Sequence, residues 1–252
     1  MKNFLRKVIL DAGEISLDYR QKGFEVSRKS AKDLVTEADR AVEKFLTKKI
    51  TEQYPSHGIL GEEYGSTKTG EYCWVIDPID GTSSFVHGHP FYSISIALQR
   101  GGETILGAVY APVLDELFTA EKNAGAFLNC EKIQVSPTSE LIDVMAATGF
   151  ACIRAGLEHN NLKYFNRIIP KIRGIRRCGS AAIDLSYVAC GRYDVFWELN
   201  LKKYDFAAGA LILEEAGGKV TGFDGKPSPT GETLLATNSI LHRQFLEMLN
   251  LL

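Results

Sequence analysis

Apolar residues at Phe4, Val8, Ala12, Ile15 and Tyr19 recur every three or four positions, which predicts an opening amphipathic helix that Gly23 ends. The same period returns at Ala38, Val42, Phe45, Leu46 and Ile50. Thr36 and Asp39 stand ahead of this second helix in capping-box spacing, and Pro55 closes it. Glu43, Lys44, Lys48 and Lys49 fall on its predicted polar face. From Tyr72 the texture changes. Trp74-Val75-Ile76 is a short apolar run, and Tyr92, Ile94, Ile96 and Leu98 alternate with Ser93, Ser95 and Ala97, which is the period of a strand. Gly101-Gly102 signals a hairpin into a strand over 105–110, and the runs 117–119 and 126–128 extend an antiparallel sheet. Beyond Pro137 the elements alternate: strand 144–148, helices 161–169 and 181–191, strand 195–199, a helix over 205–216 stopped by Gly217-Gly218, strands near Val220 and over 234–237, and a last helix from Ile240. No repeat or low-complexity linker divides the chain, so we expect one domain of two halves, about 1–136 and 137–252.

The 252 residues are 45% hydrophobic and 24% charged, the balance of a folded enzyme-sized protein. A formal charge of -2 supplies no global field for nucleic acid. The basic cluster Lys171, Arg173, Arg176 and Arg177 reads as a solvated face or a subunit contact. Cys73, Cys130, Cys152, Cys178 and Cys190 are odd in number and lack Cys-x-x-Cys pairing, so they read as reduced, mostly buried thiols. Charges at Arg6, Lys7, Asp11 and Glu14 interrupt any signal-peptide core, and no apolar run approaches transmembrane length, so the expected compartment is the cytoplasm, away from membranes.

Chemistry concentrates where the apolar run 74–76 ends in Asp77-Pro78-Ile79-Asp80-Gly81-Thr82. Pro78 is expected to stop the strand and Gly81 to open unusual backbone geometry, so that both carboxylates and the Ile79 carbonyl converge. Such hard oxygen donors suit Mg²⁺. The segment also reads as a surface turn, since Asp, Pro and Gly are ordinary turn residues. A second acidic strand end, Gly61-Glu62-Glu63 after Ile59-Leu60, favours the functional reading. Asp205 reads either as a helix N-cap or as a further ligand. Thr82 either caps a helix or orients an attacking water, with the Gly81 and Thr82 amides cradling a phosphate. Like charges 4 Å apart cost about 1 kcal/mol in water and about 4 kcal/mol at an effective dielectric near 20. Gathered carboxylates therefore need cations between them and an anionic substrate, which points to metal-assisted hydrolysis of a phosphate ester.

Together, Gly61-Glu62-Glu63, Asp77-Pro78-Ile79-Asp80-Gly81-Thr82 with Phe85-Val86-His87-Gly88, and Tyr204-Asp205-Phe206-Ala207-Ala208-Gly209 resemble the inositol monophosphatase family. Asp33-Leu34-Val35-Thr36-Glu37-Ala38-Asp39, Gly179-Ser180-Ala181-Ala182 and Glu214-Glu215-Ala216-Gly217-Gly218 extend the resemblance over nearly the whole chain. It implies an α+β fold, a layered αβαβα sandwich, in a homodimer that uses two or three Mg²⁺ ions, with Mn²⁺ as a substitute, and is inhibited by Li⁺. By motif position it implies metal binding by Glu62, Asp77, the Ile79 carbonyl, Asp80 and Asp205. Glu62 and Thr82 are implied to activate the water with support from Asp39, and Asp80, Gly81, Thr82, Ser180, Ala181 and Glu198 to contact the substrate, a small phosphorylated alcohol.

Ser84, His89 and Tyr204 depart from the family's usual Asn, Phe and Trp, which bears on substrate rather than reaction. His87 and His89 lack a third ligand and read as structural or surface groups. The expected substrate is inositol monophosphate or a related sugar or polyol phosphate. Fructose 1,6-bisphosphate, histidinol phosphate and 3'-phosphonucleotides are the alternatives on the same fold, and a role in binding transcription or ribosome-assembly machinery through Arg173, Arg176 and Arg177 is the alternative in kind.

Overall fold

The computed structural model describes residues 1–250 except 31, 32, 68, 69 and 229, and the Asp33 side chain lies outside the described residues. Helix α1 (Lys2–Lys22) leads through a hairpin of β1 (Val26–Ser30) and β2 (Asp33–Thr36) into α2 (Glu37–Gln53). Then come β3 (Gly58–Gly61), β4 (Gly65–Ser66), β5 (Tyr72–Asp80), the short α3 (Thr82–Val86), β6 (Ser93–Arg100), β7 (Glu103–Ala111), β8 (Glu116–Glu121), β9 (Ala126–Leu128) and β10 (Glu131–Lys132). The remainder runs β11 (Met145–Thr148), α4 (Ala151–Arg154), α5 (Leu162–Ile168), β12 (Gly174–Arg176), α6 (Ala181–Ala189), β13 (Val195–Leu199), α7 (Lys203–Glu215), β14 (Lys219–Thr221), β15 (Thr233–Thr237) and α8 (His242–Asn250).

Among the described residues, β3 to β10 form an eight-stranded sheet in the order β10-β9-β8-β7-β6-β5-β3-β4, antiparallel except for the β3–β5 pair. The last five strands form a second sheet in the order β12-β11-β13-β15-β14, parallel from β12 to β13 and antiparallel beyond. Strand alternation decides which layer each face meets. Trp74, Ile76, Ile94, Ile96 and Leu98 turn toward Leu5, Ile9, Val42 and Leu46 of α1 and α2. Val75, Ala97 and Val109, on the opposite face, pack with α6 and α7, which also meet Ala147, Phe196 and Ala236 of the second sheet. The far side of that sheet, with Ala146, Val195 and Trp197, is covered by Tyr164 and Ile168 of α5 and Phe245 of α8. The order of layers is therefore helices, sheet, helices, sheet, helices.

The middle layer is why α6 and α7 are apolar all round: each is buried against a sheet on both sides. Its close fit is set by small residues. A Cβ on Gly107 of β7 would lie 3.0 Å from the Ala208 carbonyl oxygen of α7, so the sheet and helix backbones approach almost without side chains between them.

Three local expectations are corrected. β5 does not stop at Pro78; it runs on to Asp80, with Asp77 opposite Ser95 and Asp80 opposite Ser93, so one extra residue is taken up as a bulge, a place where a strand tolerates proline. Glu43 does not lie on the polar face of α2 but is buried, at 1% exposure. Of the five unpaired cysteines, Cys152 is buried, Cys73, Cys178 and Cys190 are half-buried and Cys130 is exposed. No helix among the described residues is long and apolar enough to cross a membrane.

Candidate active site

The two sheets and α6 enclose one pocket lined by Glu62, Asp77, Asp80, Gly81, Thr82, Ser180, Ala181, Glu198 and Asp205. Glu62 follows the last residue of β3, while Asp77 and Asp80 sit on the bulged end of β5. Gly81 has φ 95° and turns the chain into α3, placing Thr82 at its first position; a Cβ there would be 3.1 Å from the carbonyls of both Phe91 and Gly179. Glu198 comes from β13 and Asp205 from α7. Segments more than a hundred residues apart in the chain thus meet in one pocket.

Asp77 shares a side-chain hydrogen bond with Glu62 and feels the charges of Asp80 and Asp205. One Asp77 oxygen accepts the Ile79 amide at 3.1 Å. Burial, then these neighbours, push its pKa well above the ordinary carboxylate range. Asp205 is pushed up in the same way by burial and by Asp80. It is the third residue of α7 rather than its N-cap, and it reaches back to accept the Lys202 amide at 2.6 Å. Asp80 accepts from the Ser180 hydroxyl at 2.6 Å and the Ala182 amide at 2.7 Å, at the N-terminus of α6. Burial still raises it to about 6.

Thr82 connects the pocket to α2. Its hydroxyl lies 3.2 Å from Asp39 Oδ1 and 3.2 Å from the Ile79 carbonyl oxygen, both as acceptors. Asp39 caps α2 with Thr36, whose amide and hydroxyl donate to Asp39 Oδ2 at 2.8 and 2.5 Å. Asp39 is fully buried, and burial raises it to about 6. It reaches the pocket through Thr82. The Ile79 carbonyl is likewise engaged by Thr82. Ser180 lines the pocket with its hydroxyl fully buried and engaged by Asp80, Ser93 and the Ile183 amide, so it supports Asp80.

The opposite wall holds Glu198, expected from the resemblance, together with groups that the motifs did not single out. Glu198 accepts the Ala151 amide at 3.0 Å, and a Cβ on Gly149 would collide with its carboxylate. Burial raises Glu198 to about 7, against the pull of Arg154 and Arg177. Arg154, Arg177, Thr148 and Asp184 complete this wall. Arg177, an exposed member of the basic cluster, also lines the pocket, whereas Arg173 pairs with Asp143 at 2.5 Å on the surface. Asp184 Oδ1 is the buried side-chain oxygen without a hydrogen-bond partner among the described residues. A lone acid inside the apolar run of α6, one turn beyond Ser180, was a signal available in the sequence. Arg154, on a four-residue helix, had none.

The donors facing the first wall are all oxygens, and no His or Cys lines the pocket among the described residues. Buried carboxylates that raise one another's pKa need either protons or cations, and an all-oxygen set suits a hard divalent ion. Among the described residues no three His, Cys, Asp or Glu side chains stand ready-made as a metal site, and Asp77, Asp80 and Asp205 each turn an oxygen to a protein donor. The fit lies in chemistry and placement rather than in preset coordination.

Comparison with known proteins agrees with this arrangement. The chain is 40% identical over 250 residues to an inositol-1-monophosphatase of Caulobacter vibrioides, covering 97% of this chain and 95% of that protein. It is 42% identical over 234 residues to a Nus factor SuhB of Pseudomonas aeruginosa, covering 89% and 86%. Its fold matches the crystal structure of the extragenic suppressor protein SuhB of Bartonella henselae with a TM-score of 0.92 at 34% identity, covering 99% and 98% of the two chains. The sequence profile of the inositol monophosphatase family matches residues 1–250, and the chain belongs to that family.

Proposed function

We propose that this phosphomonoesterase hydrolyses inositol monophosphate or a closely related sugar or polyol phosphate in the pocket between its two sheets. The observation that carries the reading is the meeting of Glu62, Asp77, Asp80 and Asp205, drawn from distant segments, opposite Glu198. Glu62, Asp77, the Ile79 carbonyl, Asp80 and Asp205 would hold two or three Mg²⁺ ions, and Mn²⁺ suits the same donors. When bound, these cations supply the charge that lets a phosphate ester approach and that stabilises it as the bond to phosphorus breaks.

The chain's own groups do the rest. Thr82 has one hydroxyl proton, which Asp39 or the Ile79 carbonyl accepts, so its oxygen is left to accept a hydrogen bond from the attacking water. Glu62 takes up a proton of that water. The Gly81 and Thr82 amides open α3 beside the phosphate. Glu198, held by the Ala151 amide, faces the alcohol and accepts its hydroxyls. A homodimer, a cytoplasmic location and inhibition by Li⁺ belong to the same reading and rest on the family. The resemblance to Nus factor SuhB supports a second reading, a role in binding other macromolecules, and the exposed Arg176 is the residue to examine.

The deciding measurement is phosphate release from inositol 1-phosphate, fructose 1,6-bisphosphate, histidinol phosphate and a 3'-phosphonucleotide, with Mg²⁺, with chelator and with added Li⁺. Inositol 1-phosphate is expected to lead, with turnover lost in chelator. Asp80→Asn should lower release by at least about 10²–10³-fold, the loss on removing one preorganised electrostatic group. Undiminished turnover in a folded Asp80→Asn protein overturns the site, and a hundredfold preference for another substrate overturns its specificity.

A further inference from the structure

We propose that Glu43 is a positioning residue of the hydrolytic site, an inference that rests on the proposed function. Asp39 and Glu43 stand one turn apart on α2 and are 0% and 1% exposed. Each grips a different part of the pocket. Asp39 accepts from Thr82, at the start of α3. Glu43 accepts from the amides of Glu63 at 2.8 Å, through Oε2, and of Tyr64 at 2.9 Å, through Oε1. One rigid helix therefore holds Thr82 with one carboxylate and the turn that carries Glu62 with the other.

An apolar side chain would fill this buried space at lower cost, because a carboxylate loses its hydration on burial. What an apolar group cannot do is accept two amides at once and so fix the orientation of the peptides on the C-terminal side of Glu62. That orientation sets the direction in which the Glu62 side chain leaves the backbone. Gly61 is shaped to the same purpose: a Cβ on it would collide with Glu43 Oε1, so a residue with a side chain would push the carboxylate off the two amides. Helix α2 thereby fixes the separation of Glu62 and Thr82, the two groups assigned to the water.

The test uses Glu43→Gln, Glu43→Ala, Gly61→Ala and Glu43→Ala/Gly61→Ala in the full chain, with Glu62→Gln as reference. Glu43→Gln keeps the volume but turns an NH₂ group toward one of the two amides. Readouts are kcat and KM for inositol 1-phosphate, and the Mg²⁺ concentration that gives half the metal-induced rise in Tm. We expect kcat to fall about 10–100-fold in Glu43→Gln, as for groups that orient a metal ligand, with KM within about threefold and the Mg²⁺ midpoint raised about tenfold. Gly61→Ala alone should reproduce that loss, yet change kcat less than about twofold once Glu43 is already Ala, because the two act through one contact. A folded Glu43→Gln protein with unchanged kcat and Mg²⁺ midpoint overturns the inference whatever its Tm, as do Gly61→Ala and Glu43→Ala losses that multiply. If Glu62→Gln is inactive while Glu43→Gln is unchanged, only the role of Glu43 fails. Full activity in Glu62→Gln overturns both this inference and the site assignment it rests on.

Discussion

The two walls of the pocket carry the same kind of residue in opposite electrostatic settings. On the first wall, Asp77 is dominated by burial and by the charges of Glu62, Asp80 and Asp205. On the second, burial raises Glu198 and Asp184 as well, but Arg154 and Arg177 draw Glu198 part of the way back, and Arg177 does so for Asp184. A wall of acids without a protein cation strongly attracts external cations; a wall whose acids face guanidinium groups is partly offset from within and can turn oxygens to hydroxyl groups. The difference separates ion binding from recognition of the alcohol.

Neutralising one acid on each wall breaks that contrast most sharply. Asp77→Asn should abolish Mg²⁺-dependent turnover and at the same time raise the Tm of the metal-free protein, since it removes a buried repulsive charge. Relieving like-charge repulsion at an effective dielectric near 20 is worth up to about 4 kcal/mol, and each kcal/mol moves Tm by about 2–4 °C at this chain length. A lowered Tm in calorimetry without metal would contradict the account of the first wall. Glu198→Gln should instead raise KM about tenfold, the worth of one charge-assisted hydrogen bond, with kcat and Mg²⁺ response within about threefold. A Glu198→Gln protein that loses its Mg²⁺ response would erase the distinction between the walls.

The smallest effect at neutral pH concerns a titrating group remote from both walls. His242 is buried between the hydroxyls of Thr221 and Thr237, each at 3.0 Å, and burial lowers its pKa from 6.5 to about 4. Folding therefore favours the neutral ring, whereas the unfolded chain takes a proton near 6.5. Its contribution to stability is complete above pH 6.5 and is lost as pH falls toward about 4. Urea unfolding between these values should show stability falling with pH, and the slope should flatten in His242→Asn. An unchanged slope would show that the carboxyls alone set the acid response.

Much of this was legible in the chain. The period of Phe4 to Tyr19 marked α1, Thr36 and Asp39 marked the cap of α2, and the run 195–199 coincides with β13. These features are local, fixed by side-chain periodicity and by bonds within a turn. Glu43 was misplaced because its polar character outweighed its position in a pattern that cannot show a turn of backbone folding over the helix from Gly61 to Tyr64. Pro78 was read as a stop because a bulge depends on the partner strand.

The sequence by itself determined the inventory: which carboxylates exist, which strand and helix ends present Glu62, Asp77, Asp80 and Asp205, and which family pattern they follow. Tertiary structure alone decided that these acids share one desolvated wall, that Arg154 and Arg177 stand opposite, and that Asp39 and Glu43 brace the site from behind. The physical reason is range. Capping and periodicity act over a few residues, whereas desolvation and charge repulsion depend on distances in space between residues far apart along the chain.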